Sequence, residues 1–151
     1  MKIYMCADHR GFELKEHLSS WLTSQGHDVI DCGNNKLEPL DDFVDFTFNA
    51  AKRLQADLQN DPKSSSLAVG VCGSGIGVGM AANRLKGVRC GLSYSVAHVK
   101  HGRENDHTNM LSLAADTLAP EEAEQIVEAF LTTSPNMEEK YVRRAAKLDQ
   151  V

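Results

Sequence analysis

Leu67-Ala68-Val69-Gly70-Val71-Cys72-Gly73-Ser74-Gly75-Ile76-Gly77 is the stretch that decides the fold. Leu67–Val71 is apolar at every position, which suits a strand buried between two layers better than one with a wet face. Directly after it glycines alternate at 73, 75, 77 and 79. Glycine admits positive φ and lets a ligand approach the backbone closely. The free N–H groups where a helix begins then attract anions. Such a turn could also serve only to pack a helix tightly on a sheet, but glycines spaced this closely favour the anion-binding reading. Cys72 stands at the strand end, just before those amides. A helix start favours thiolate over thiol, so Cys72 can act as a general base or a nucleophile rather than as an inert buried thiol.

Outward from this stretch, short apolar runs alternate with helix-length amphipathic segments. Lys2–Cys6 reads as a first strand. Phe12–Gln25 reads as a helix with Phe12, Leu14, Leu18, Trp21 and Leu22 on one face and Gly26 at its end. Asp28–Cys32 is a second strand, followed by a polar loop from Gly33 to Asp41. Phe43–Leu58 is a helix with Asp42 as its N-cap, and residues 59–66 form a loop. After the third strand, Gly75–Leu85 is helical, Val88–Leu92 extended, Ser95–Glu104 helical and Met110–Leu113 extended. Pro120–Thr132 is a helix with Pro at its first position and acids in its first turn. Met137–Leu148 is a basic terminal helix. This βα alternation predicts an α/β fold in three layers, a five-stranded parallel sheet with helices on both faces and right-handed crossovers. No linker divides the chain, so residues 1–151 are expected to form a single domain. Ligands in such folds bind beyond the carboxyl ends of the strands, near a switch in strand order. The loops to search therefore begin at Ala7, Gly33, Cys72, Ser93 and Ala114.

Composition narrows the partners. A chain of 151 residues buries roughly 70% of its unfolded surface and needs neither a disulfide nor a structural metal. The net charge of −5, with no long basic run, argues against nucleic acid or an anionic membrane as partner. No apolar stretch approaches the ~20 residues of a membrane span. The N-terminus enters a strand pattern with no signal-peptide core, so a cytoplasmic protein is expected. Cys6, Cys32 and Cys90 lie in or beside apolar runs and read as small buried hydrophobes. There is no C-x-x-C pair, and without a secretion signal disulfides are not expected.

Three familiar phosphate loops fail against the glycine loop. A Walker A loop needs a Gly-Lys-Ser/Thr end that is missing here. A dinucleotide fingerprint follows the first strand, not the third. Val78 stands where a cysteine-phosphatase loop needs arginine. Other clusters add candidates. Asp8-His9-Arg10-Gly11 follows the first strand, which commonly neighbours the third, and can bind hydroxyls and an anionic group. Asp8 could instead cap the first helix, and Arg10 could be merely solvated. His98, His101, Arg103, Glu104, Asn105, Asp106, His107 and Asn109 bridge the fourth helix and fifth strand. His98 and His101 have a metal-ligand spacing but no clear third ligand, so a solvated surface is the better reading for both. Asp106 and His107 lie nearer the strand and are better placed for a site. On the last helix, Lys140 and Arg144 form one row and Arg143 and Lys147 another. One row can reach a phosphate, or the whole face can simply be solvated.

These residues together resemble the family of type B ribose-5-phosphate isomerases and bacterial galactose-6-phosphate isomerases. The resemblance runs nearly end to end. It covers Ala7-Asp8-His9-Arg10-Gly11-Phe12-Glu13-Leu14-Lys15, Asp42-Phe43-Val44-Asp45-Phe46 and Val71 to Gly77. It continues through Ala81-Ala82-Asn83-Arg84, Gly87-Val88-Arg89 and Arg103-Glu104-Asn105-Asp106. It implies a Rossmann-like homodimer, or a tetramer of the same units, with sites shared across the interface. The terminal helix, about 137–149, would reach the partner. It implies a sugar-phosphate substrate, no cofactor and no metal. Cys72 would carry a proton between C2 and C1 through a cis-enediolate. Ser74 and the amides of Gly73, Gly75, Ile76 and Gly77 would hold the oxyanion. Asp8 would bind hydroxyls, His9 phosphate, and Arg144 phosphate from the terminal helix, with Asn105, Asp106 and Lys140 completing the pocket. The chain departs from the pattern in three places. Asn105 stands where the family has a ring-opening His, and Asn exchanges no proton at neutral pH. Asp116 replaces a phosphate-binding Arg after the fifth strand. Lys140 replaces another Arg, keeping the charge without the fork. His107 is a candidate for the missing acid. A substrate that needs no ring opening, an unphosphorylated sugar, or a binding protein without activity are the alternatives these changes raise.

Overall fold

A computed structural model describes residues 1–150; Val151, the last residue of the expected domain, lies outside the described residues. The strands are β1 (Lys2–Ala7), β2 (Asp28–Asp31), β3 (Leu67–Cys72), β4 (Cys90–Leu92) and β5 (Met110–Ala114). All pair in parallel, in the order β2-β1-β3-β5-β4. The central strands are apolar on both sides because each side meets a helix layer. Ile3, Met5, Val69, Val71, Leu111 and Leu113 face one layer, while Tyr4, Cys6, Ala68 and Met110 face the other. The edge strand β2 is only half-buried, with Asp28 and Asp31 exposed.

Helices α1 (Phe12–Ser24), α4 (Val96–Asn105) and α5 (Pro120–Thr132) cover the first face. Helices α2 (Phe43–Asn60) and α3 (Ile76–Ala82) cover the second. Leu14, Leu18 and Leu22 of α1, one turn apart, are buried beside Ile126, Val127 and Phe130 of α5. Helix α1 stops at Gly26, whose φ of 83° lets the His27 and Gly26 amides reach back to Leu22 and Thr23 carbonyls, the left-handed stop that glycine permits. Helix α5 has the expected bounds.

Three boundaries and one expected cap differ from the sequence expectation for identifiable reasons. Helix α3 ends at Ala82, not Leu85, because Asn83 uses its side chain as a substitute strand partner. Its amide donates to the Cys90 carbonyl and its oxygen accepts from the Cys90 N–H. Strand β4 accordingly begins at Cys90, since Val88 is tied into a turn with Leu85 and the Arg89 N–H donates to the Asn109 side chain. Asp42 stands at the start of α2, but its side chain makes no capping bond. The terminal helix α6 starts at Glu139, after the Asn136 side chain has accepted the Glu138 N–H. No helix is long and apolar enough to cross a membrane among the described residues.

The chain order creates the site. From β1 the chain leaves toward β2 over one face of the sheet, and from β3 it leaves toward β4 over the other. The carboxyl ends of β1 and β3 therefore flank a crevice, where α/β sheets bind ligands. Because the strands are parallel, each connecting helix carries the chain back to the amino edge. Residues just before a strand thus lie at the opposite edge from those just after one.

Candidate active site

Cys72 ends β3, in register with Ala114, and is 4% exposed. The loop wraps its sulfur: the Gly75 N–H donates to Sγ at 3.1 Å. Gly75 can do this because its φ is 72°. A Cβ at that position would stand 2.4 Å from Leu92 Cδ1, so glycine is required twice over. Ser74 is exposed, and its Oγ accepts the Ile76 N–H at 3.3 Å, which leaves its own O–H free to donate. Two of the loop amides expected to face a ligand are thus engaged inside the loop, on Cys72 and on Ser74. The other cysteines differ. Burial, with the neighbouring Cys32 and Cys90, pushes the Cys6 thiol up; burial pushes Cys32 up to about 11 and Cys90 to about 12. All three stay thiols at neutral pH and pack in the core.

Across the crevice, Asp8 is 7% exposed. Its Oδ1 accepts the N–H groups of Arg10 and Gly11 at 3.0 Å each, so it shapes its own loop at the start of α1. Its Oδ2 takes no partner among the described residues and remains open to a hydroxyl. The His9 ring is fixed by Asp41, a residue the sequence did not single out. Asp41 Oδ1 receives the His9 N–H at 3.0 Å and lies 2.7 Å from Nδ1. Its Oδ2 accepts from the Asn34 side chain at 3.0 Å. Beneath them the buried Lys15 ammonium donates to the Asn34 carbonyl at 2.8 Å and to Asp31 at 2.6 Å. Burial works to raise the Asp41 carboxyl, but the bonds from Asn34 and His9 outweigh it and hold it below the usual carboxylate range. A carboxylate on Nδ1 orients the ring with Nε2 outward, and it is the imidazolium form, in which both nitrogens carry a proton, that gives Nε2–H to an anion. Asp41→Asn should therefore raise KM for an anionic substrate about 2- to 10-fold with a smaller change in kcat, measured at pH 7. The Asp41 bonds are present above the ordinary carboxylate pKa and are lost as pH falls through the depressed value. The variant should accordingly lose less stability than the parent between pH 5 and pH 3 in urea titrations. Equal KM for both proteins would show that Asp41 does not set the His9 ring for binding.

The remaining candidates are not brought to this crevice. Asn105 ends α4 and Asp106 follows it, ahead of β5, so both lie at the amino edge. The Asn105 amide donates to His101 at 2.9 Å. Asp106 lines a cavity of about 560 Å3 with Arg84, Lys86 and Arg89. His107, the candidate for the missing acid, is buried, with φ of 52°, and its Nε2 donates to the Asn136 carbonyl at 2.8 Å. Like Asn105 and Asp106 it precedes β5 and lies at the amino edge of its own chain. Arg103 is structural, donating to the Thr108 and Thr133 carbonyls. On α6, Arg143 pairs with Glu139 at 2.5 Å. Lys140 pairs with Glu138 at 3.1 Å and lies 4.7 Å from the Tyr141 ring, with Arg144 5.8 Å from the same ring. Both rows, Lys140–Arg144 and Arg143–Lys147, are exposed. Helix α6 meets Arg89 through Asp149, which also places its end at the amino edge.

A doubly wound α/β sheet with a thiol, a glycine loop, a carboxylate and an oriented imidazole around its switch point is an arrangement suited to acting on a small polar molecule. The family model described as Ribose/Galactose Isomerase matches residues 3–148, and the chain belongs to that family. It is similar to a probable ribose-5-phosphate isomerase B of Mycoplasma pneumoniae, 39% identical over 129 residues, covering 85% of this chain and 81% of the other. It is also similar to the ribose-5-phosphate isomerase B of Mycobacterium tuberculosis, 36% identical over 144 residues, covering 95% and 85%. Among solved structures, the Mycoplasma genitalium ribose-5-phosphate isomerase B with bound ribulose 5-phosphate superposes with a TM-score of 0.89 at 31% identity, covering 99% of this chain and 94% of that one.

Proposed function

We propose that this chain is an aldose–ketose isomerase of a sugar phosphate, ribose 5-phosphate or a close relative, working through a cis-enediolate. The observation that carries the proposal is Cys72, a nearly buried sulfur at the switch point that receives a loop N–H. The relatives' activities and the bound ribulose 5-phosphate of the Mycoplasma genitalium structure support the substrate class. Cys72 takes the proton from C2 of the open-chain aldose and returns it to C1, while the O2 hydroxyl proton passes to O1, so that the C1 aldehyde becomes a hydroxyl and C2 a carbonyl. Charge then builds on the substrate oxygens, where the Ser74 O–H and the N–H groups of Gly73 and Gly77 stabilise it, while the Gly75 and Ile76 amides hold the loop on Cys72 and Ser74. Asp8 Oδ2 holds a hydroxyl, and His9 Nε2 holds phosphate.

The site is completed by a second copy. Asn105, Asp106, Lys140 and Arg144 lie at the amino edge of their own chain, so in a homodimer they serve the partner's crevice. Two exposed apolar patches support such pairing: Ile76 and Met80 beside the glycine loop, and Met137, Val142 and Leu148 on or beside α6. The single domain then carries half of each of two sites.

Asn105 favours a second reading of the substrate. With no proton to exchange it cannot open a sugar ring, which suits a four-carbon sugar phosphate that stays open. Turnover of ribose 5-phosphate should be assayed beside a tetrose and a hexose phosphate, measuring ketose and free phosphate. Ketose from the pentose or the tetrose without phosphate release is expected. Absence of ketose from all three would sink the isomerase reading and leave a binding protein.

A further inference from the structure

Gly73 does not adopt a left-handed φ; what its position needs is room. A Cβ there would stand 2.6 Å from Arg10 Nε, 2.9 Å from Arg10 Cζ and 2.9 Å from Asp116 Oδ2. The arginine from the loop after β1 and the carboxylate from the loop after β5 thus meet directly over the glycine loop. Arg10 Nη2 donates to Asp116 Oδ2. The Asp116 N–H is anchored on the Gly73 carbonyl at 3.0 Å, and the Arg10 N–H on Asp8 at 3.0 Å. Three loops that border the crevice are therefore stitched together by one guanidinium.

The pair is not built for stability. Its side chains are 58% and 41% exposed, and ion pairs so exposed contribute little to folding. Neighbouring cations are committed elsewhere. Lys15 is fully buried on Asp31, and Lys36 pairs with Glu38. With one Nη2–H on Asp116, Arg10 keeps Nε–H, both Nη1–H groups and the second Nη2–H without a protein partner among the described residues, so one adjacent pair that includes Nη2 stays free, next to His9 in sequence and against the loop that bears Cys72. A planar fork with free donors suits a phosphate dianion, which takes two N–H groups side by side.

Resting on the isomerase reading above, we infer that Arg10 is a phosphate-binding residue of this site, and that Asp116 is a positioning residue that holds the guanidinium over Gly73. Arg10 supplies the phosphate contact from the same chain as Cys72, independent of any cation reaching in from a partner. The fixed separation between guanidinium and sulfur then measures the substrate's length, since phosphate at one end places C1 and C2 at the other.

Calorimetric binding of ribose 5-phosphate, of inorganic phosphate and of unphosphorylated ribose, to the full chain and its Arg10→Ala, Arg10→Lys, Asp116→Ala and double variants, tests this. Arg10→Ala should weaken ribose 5-phosphate and inorganic phosphate about 10- to 100-fold and leave ribose unaffected, with Arg10→Lys in between. Asp116→Ala should cost less, and should cost nothing further once Arg10 is alanine. In turnover, KM should rise more than kcat falls. Unchanged phosphate affinity in a folded Arg10→Ala overturns the assignment while the isomerase reading stands. A further loss from Asp116→Ala in the Arg10→Ala background overturns the positioning role. A parent protein that neither binds nor isomerises sugar phosphates overturns both readings together.

Discussion

Cys72→Ala should lower kcat for the preferred sugar phosphate by about 10²–10⁴-fold, the usual contribution of a positioned base, while KM shifts little. The proton transfer occurs only in the transition state, so its loss appears in kcat and not in binding. The fold should survive. The side chain packs in the second core beside Val78 and Ala82, and alanine removes a single heavy atom there. Cys72→Ser is the sharper variant, because it keeps size and hydrogen bonding but replaces a thiol with a far weaker acid. It should be as impaired as Cys72→Ala. Either variant turning over at the parental rate would remove Cys72 from the mechanism.

The second large effect concerns the shared site. Arg144→Ala should lower kcat/KM by at least tenfold, through lost phosphate contacts. Arg144 does not reach the crevice of its own chain, so the defect should be rescued in mixed dimers. Cys72→Ala and Arg144→Ala subunits, each nearly inactive alone, should regain about a quarter of parental activity when exchanged at equal amounts. Half of such dimers are mixed, and each mixed dimer has one site free of both substitutions, as two-fold symmetry requires. No recovery after verified subunit exchange would show that each chain completes its own site.

Much of this arrangement was legible in the sequence because it is local. The both-faces-apolar run Leu67–Val71, the glycines after it, and Pro120 with its acids specified a buried strand, a ligand loop and a helix start. Cys72 and Asp8 could be placed on neighbouring loops because the topology of a parallel sheet is constrained. What was not legible is long-range. Asp41 reaches His9 from an irregular loop 32 positions away, and Asp116 reaches Arg10 across 106. No periodicity encodes either contact. The expected end of helix α3 lies three residues too far along, since nothing local distinguishes an Asn that continues a helix from one that turns to pair with Cys90.

The most direct test is proton NMR of ribose 5-phosphate incubated with the protein in D2O, with Cys72→Ala in parallel. The account predicts ribulose 5-phosphate carrying deuterium at C1, and deuterium at C2 of the remaining ribose 5-phosphate, both suppressed in the variant. Substrate that is bound yet gains neither deuterium nor ketose, or equal exchange by both proteins, would contradict it.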